Sequence, residues 1–166
     1  MKSFSYPFIP IILRERTILR PMSTVTLAYK GNEFPTRVII DSGADYSILR
    51  HDVARGLQIP IERLESIDGP VGITGDQIQT VVADIEMTFL WKTTAIEGIV
   101  PFYIPVDPNK QPREILLERD PFFYDFRIDF RMGYTDDKTL GKFVIYPEEK
   151  KRKADRFRRP PTIRAR

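Results

Sequence analysis

Cysteine is absent from the 166 residues, which excludes disulfides and thiolate metal sites and leaves the redox compartment open. The single histidine, His51, excludes a histidine metal cluster. No apolar run approaches the roughly 18 residues that a membrane helix needs, so the chain reads as soluble, without a membrane partner, and a cytoplasmic location is expected. Met1 to Leu13 are basic and then apolar, as in a signal peptide, but Pro7 and Pro10 interrupt the run. Arg14-Glu15-Arg16 follow at once and no small-residue cleavage site is evident, so residues 1–20 read as an extended, packed N-terminal arm. There is also no internal repeat.

Fourteen prolines and eleven phenylalanines suit strands and loops better than helices, because proline interrupts helix interiors. The length allows one domain with a substantial core, placed at 21–147. Val25, Leu27 and Tyr29 alternate with smaller or polar residues, and Lys30-Gly31-Asn32-Glu33 reads as a turn into a second strand, Phe34 to Ile40. His51 to Leu57 reads as a short helix. Gln77 to Phe89 is one long alternating strand with Val81, Ala83, Ile85, Met87 and Phe89 on one face. Ala95 to Val106, the wholly apolar Ile115 to Leu117, and a C-terminal hairpin through Phe126–Arg131 and Phe143–Tyr146 complete the strands. Residues 148–166 form a basic tail. From Lys150 onward nine Lys or Arg stand against one acid, Asp155, a net of +8, so that within a chain total of +3 the rest carries −5. Such a run reads first as disordered and solvated, and only second as an arm for nucleic acid.

The most informative stretch is Thr36 to Leu49, where an apolar strand runs into Asp41-Ser42-Gly43 and a β-like pattern then resumes. A carboxylate there has its backbone held on one side by the strand, while Gly43 allows a sharp turn and close backbone approach. Ser42 adds a hydroxyl that can fix the loop. Asp41 is the candidate catalytic residue.

Asp41-Ser42-Gly43-Ala44-Asp45 with Ser47-Ile48-Leu49 resembles the active-site segment of the retropepsin-like aspartic proteases, the single-domain family that includes the retroviral proteases. Gly72-Ile73-Thr74-Gly75 resembles that family's flap tip. Ile115-Leu116-Leu117-Glu118-Arg119-Asp120-Pro121-Phe122-Phe123 resembles its apolar strand followed by Gly-Arg-Asp or Gly-Arg-Asn and a short helix. The three patches occur in the family's order between about Val38 and Phe130. Two departures stand out: Glu118 replaces the usual glycine, and Thr74 replaces a common flap glycine.

The resemblance implies an all-β, closed, barrel-like acid protease fold, each chain being a single-domain protomer of a homodimer. It implies that Asp41 is catalytic, that Ser42 and Gly43 shape the active-site loop, and that Ala44 and Asp45 line the cleft. Gly72, Ile73, Thr74 and Gly75 would cover an extended peptide or protein substrate, bound by strand addition. Arg119 would form a structural ion pair with Asp45. No metal or cofactor is implied. Peptide hydrolysis by carboxylates needs two that share one proton, and the chain has one Asp-Ser-Gly segment, so the second Asp41 must come from a second chain. The alternative reading is a weakly active or inactive dimerisation or peptide-binding module of the same fold, which Glu118 favours.

Other chemistries fit less well. A phosphotransfer aspartate wants a second Asp where Gly43 sits, on an α/β sheet with long helices. A calcium loop through Asp41, Asp45 and Asp52 would need glycine where Tyr46 stands. A serine triad would need Ser47 and His51 to meet a third acid.

Overall fold

Lys30 and Gly31 both take positive φ, 48° and 86°, and that pair of angles makes a two-residue hairpin turn whose twist matches its flanking strands. The turn expected over four residues is therefore tighter, and Asn32 already pairs with Tyr29. The computed structural model describes residues 4–13, 16–71, 77–91, 94–118, 126–131 and 141–147. Its strands are β1 (Phe4–Pro7), β2 (Ile9–Leu13), β3 (Arg16–Arg20), β4 (Met22–Tyr29), β5 (Asn32–Ile40), β6 (Ile67–Val71), β7 (Gln77–Trp91), β8 (Thr94–Pro105), β9 (Ile115–Leu117), β10 (Phe126–Arg131) and β11 (Lys142–Pro147). A six-residue helix, α1 (His51–Gly56), follows the Asp41 loop. Among the described residues the fold is all-β apart from this helix and two single 3₁₀ turns.

β7 organises the main sheet. Along one edge it pairs with β8 from Thr80 to Trp91. Along the other it pairs first with β6, near Gln77 to Thr80, and then with β4, from Glu86 to Phe89. Val81, Ala83, Ile85, Met87 and Phe89 are all buried, as the alternation predicts, while Asp84 and Glu86 face solvent. β4 pairs onward with β5, and β5 runs parallel to β9.

The circuit then closes. Ile48 bridges Tyr103 of β8 on one side and Leu116 of β9 on the other. Ile48 and Leu116 exchange N–H···O bonds of 2.9 and 3.1 Å, Leu49 N–H donates to the Tyr103 carbonyl, and Tyr103 N–H donates to that of Ser47. The short segment from Ser47 to Leu49 is thus the stave that turns an open sheet into the closed barrel. Leu27, Ile40, Leu49, Ile85, Phe89, Phe102, Ile104 and Leu117 fill its interior, and α1 buries Val53 and Ala54 against the same core.

A second sheet has β11 at its centre, between β1 and β10. Phe4, Phe8 and Phe143 are buried in the core, and the Tyr6 and Phe143 rings stack 5.2 Å apart. The first strand of the expected arm is in this way hydrogen-bonded to the last strand of the domain. β2 and β3 make a separate hairpin. Among the described residues no helix is long and apolar enough to cross a membrane.

Candidate active site

The buried run Val38-Ile39-Ile40 lies in register beside Ile115-Leu116-Leu117, and this parallel pair delivers Asp41 to its place. Ile40 N–H donates to the Pro21 carbonyl and Asp41 N–H to that of Leu117, each at 2.9 Å, so the backbone is held up to the acid itself. Beyond it the chain turns: Ala44 N–H donates to the Asp41 carbonyl at 3.2 Å. Gly43 N–H donates to Asp41 Oδ1 at 2.9 Å, which orients the carboxylate from within its own loop. A Cβ at position 43 would stand 3.3 Å from that same oxygen, so glycine leaves the carboxylate uncrowded. Asp41 and Ala44 are half-buried, while Ser42, Gly43 and Asp45 are exposed.

The loop's return is anchored as firmly as its departure. Ser47 is fully buried, and its Oγ accepts the backbone N–H of Glu118 at 3.1 Å. Consecutive residues of one segment therefore grip both ends of the loop: Leu116 at Ile48, Leu117 at Asp41, and Glu118 at Ser47. Glu118, at 4% exposure, lies behind the loop. Tyr46 packs edge-on against Tyr103 with centroids 4.7 Å apart. Burial pushes the Tyr103 phenol above its usual range, and the neighbouring Tyr46 and Glu118 add to the effect. After the loop, Arg50 donates to the Asp52 carboxylate and to the Arg113 carbonyl, tying the start of α1 to the segment before β9. That hydrogen bond holds the Asp52 carboxyl below its usual range.

Asp41, Ser42, Gly43, Ala44 and Asp45 thus share one short loop on the barrel. Gly72, Ile73, Thr74 and Gly75, expected to form a flap tip, lie outside the described residues, as do Arg119, the expected partner of Asp45, and the tail 148–166. β6 and β7, on either side of residues 72–76, pair with Val71 opposite Gln77. Sequence reasoning missed Ser47 as the anchor of the loop's far end. The available signal was a small polar residue leading into the apolar pair Ile48-Leu49.

No protein-family model matches the chain. The search of curated proteins found no match either. Among solved structures, the chain is similar to the EIAV protease complexed with the inhibitor HBY-793, at 22% sequence identity and a TM-score of 0.38. The similarity covers 63% of this chain and 86% of that one.

Proposed function

We propose that the protein is an aspartic endopeptidase that works as a homodimer. The observation that carries the reading is the setting of Asp41: a half-buried carboxylate at the end of a buried strand, its backbone pinned to Leu117 and its Oδ1 held by Gly43. Such a carboxylate is preorganised, while the exposed Ser42 and Gly43 beside it leave room for a second copy and a substrate.

One Asp41 cannot be general base and general acid in the same step. Two copies about 3 Å apart would share a proton and titrate with apparent pKa values that belong to the pair. The ionised carboxylate takes a proton from the attacking water, and the protonated one donates to the scissile carbonyl oxygen. A tetrahedral intermediate forms; its collapse, with proton return to the amine, splits the peptide. Two-fold symmetry supplies the second carboxylate without a second motif.

Asp41→Asn tests the assignment, because the amide keeps the shape and cannot accept the proton. Wild type and variant are incubated with a mixed peptide library at mildly acidic pH while light scattering follows the dimer. Cleavage is expected to vanish with the dimer intact. Equal cleavage by both proteins would sink the proposal.

The burial of Glu118 directly behind the loop favours one other reading, a peptide-binding or dimerisation module without turnover. In that case Asp41→Asn leaves peptide affinity unchanged and neither form cleaves.

A further inference from the structure

β8 has one edge that the barrel leaves largely open. Tyr103 N–H donates to the Ser47 carbonyl at 2.8 Å, and its own carbonyl accepts Leu49 N–H at 2.9 Å, so both backbone groups point away from β7. In an antiparallel pair every second residue shares that orientation. The Pro101 carbonyl and the backbone groups of Ile99, Glu97 and Ala95 therefore turn outward as well. Among the described residues no strand takes them up: β8 pairs with β7, and the Ser47–Leu49 segment reaches only Tyr103. Ile48 runs parallel to β8, so the open edge continues from Tyr103 back to Ala95 on the side where the Asp41 loop enters Ser47.

The side chains of the same residues make an apolar strip on the outer face of the sheet. Val100, Phe102 and Ile104 are buried, so alternation sets Ile99, Pro101 and Tyr103 outward. Ile99 is 55% exposed, and Tyr46, edge-on to Tyr103, is 39% exposed. Val82, opposite Tyr103, is half-buried beside them. The strip thus runs from the candidate catalytic loop along β8. Exposed acids border it: Asp84 stands opposite Pro101, Glu86 opposite Ile99, and Glu97 two residues before Ile99. The ion pairs of the described residues involve none of these three acids.

We propose that this edge binds an extended, basic segment of the protein substrate as an added strand; the endopeptidase reading is needed only for calling that occupant a substrate. Ala95, Glu97 and Ile99 supply main-chain hydrogen bonds, the strip receives apolar side chains, and the acids receive Lys or Arg. A second copy is the wrong occupant. Two-fold pairing of β8 with itself would bring both sets of Asp84, Glu86 and Glu97 together, and Pro101 has no N–H to give. The acids that repel a like chain attract a basic one. An exposed apolar strip bordered by polar groups is the mark of such a docking surface, and its continuity with the Asp41 loop leads the bound segment to the site of cleavage.

The test uses the full-length Asp41→Asn chain, so that no probe is consumed, and two labelled peptides, one alternating lysine with valine and one alternating glutamate with valine. Fluorescence anisotropy should show the basic peptide binding about 10-fold tighter or more, because like charges across a strand pair repel. Adding Glu86→Lys and Glu97→Lys should weaken the basic peptide about 10-fold and strengthen the acidic one. Adding Ile99→Lys instead should weaken the basic peptide by about 10-fold through the lost apolar contact and the new like charge. Melting curves of these variants should match their parent, since the altered side chains face solvent. The amides of Glu97 and Ile99 should exchange more slowly with the basic peptide bound, and the same peptide N-methylated along its backbone should not bind. With wild type, a protein substrate carrying the basic segment beside its cleavage site should show a lower KM than one carrying an acidic segment. Equal affinity for the two peptides, or no protection at Glu97 and Ile99, would overturn the proposal. Tetramers of the full-length chain that Ile99→Lys splits into dimers would also overturn it, by giving the edge to a second copy. Binding of the basic peptide with that protection, but no cleavage of any substrate by wild type, would uphold this site and sink the endopeptidase reading.

Discussion

The backbone N–H of Glu118 donates to the Ser47 hydroxyl across 3.1 Å, joining two buried residues 71 positions apart. This bond fixes the far end of the loop that begins at Asp41, while Leu117 fixes the near end. Both ends of the candidate catalytic loop therefore depend on the end of β9.

Ser47→Ala deletes the acceptor and leaves a buried N–H without its hydrogen bond. Stranding such a group costs about 1–3 kcal/mol. A fall in melting temperature of roughly 3–10 °C follows for a domain of this size. Proteolytic activity should drop more than the residual folded fraction explains, because the loop loses its tether. Scanning calorimetry with peptide cleavage checks both, and an unchanged melting temperature would refute the anchoring role.

Much of this arrangement was legible in the sequence where the pattern is local. The alternation from Val81 to Phe89 marked β7 and its buried face, and the apolar triplet Ile115 to Leu117 marked β9. The strand leading to Asp41 and the short helix after it were readable for the same reason. What escaped depends on pairing between distant residues. A single-residue bridge at Ile48 closes the barrel, and one residue has no period. β1 pairs with β11 across almost the whole chain, so nothing near Phe4 announces its partner. The Ser47 hydroxyl has the same difficulty, since its partner is a backbone N–H that every residue but proline carries.

Gly43→Ala probes the carboxylate more directly. The added Cβ would stand 3.3 Å from Asp41 Oδ1, tight enough that the carboxylate or the turn must yield by a few tenths of an ångström. The residue is exposed, so the melting temperature should barely change. Cleavage should fall on the order of 10-fold, because small misplacements of reacting groups are costly. Full activity in the variant would show that the Oδ1 contact is dispensable.

Glu118→Gly restores the residue that the family resemblance implies, yet it is expected to destabilise this protein. Glu118 is buried, so its removal opens space in a packed region, and glycine adds about 1 kcal/mol of chain entropy on unfolding. Thermal melts should show the loss. A variant more stable than wild type would mean that the Glu118 side chain is strained in its site.

Alkaline pH should expose the burial of Tyr103. Its pKa is raised in the folded state above the ordinary value of 10.0, first by desolvation and then by Tyr46 and Glu118. A raised folded value gives stability that is fully present below the unfolded pKa and is lost as pH rises through the folded one. The loss therefore begins near pH 10 and continues above it. Tyr103→Phe keeps the ring against Tyr46 and removes the ionisation, so its stability should fall less steeply than that of wild type across this window and match its slope at pH 7. Parallel slopes above pH 10 would show that Tyr103 ionises as freely folded as unfolded.

Deleting residues 1–8 tests whether the N-terminal strand belongs to the folding unit. β1 covers one edge of β11 with four registered pairs from Phe4 to Pro7, and Phe4 and Phe8 are buried at 3% and 5% exposure. Burying each Phe side chain contributes about 1.5–3 kcal/mol, and the Tyr6–Phe143 stack adds to that. Against a typical net stability of about 5–15 kcal/mol, losing both rings and a strand removes a large share of the total. The shortened chain should therefore melt far below the full-length protein or fail to fold. Removing the residues after Pro147 deletes a highly charged run with few apolar side chains and should leave the melting curve unchanged. Circular dichroism melts of the two truncations make the comparison, and equal stability of the 1–8 deletion and the full chain would show that β1 is a passive arm laid on β11.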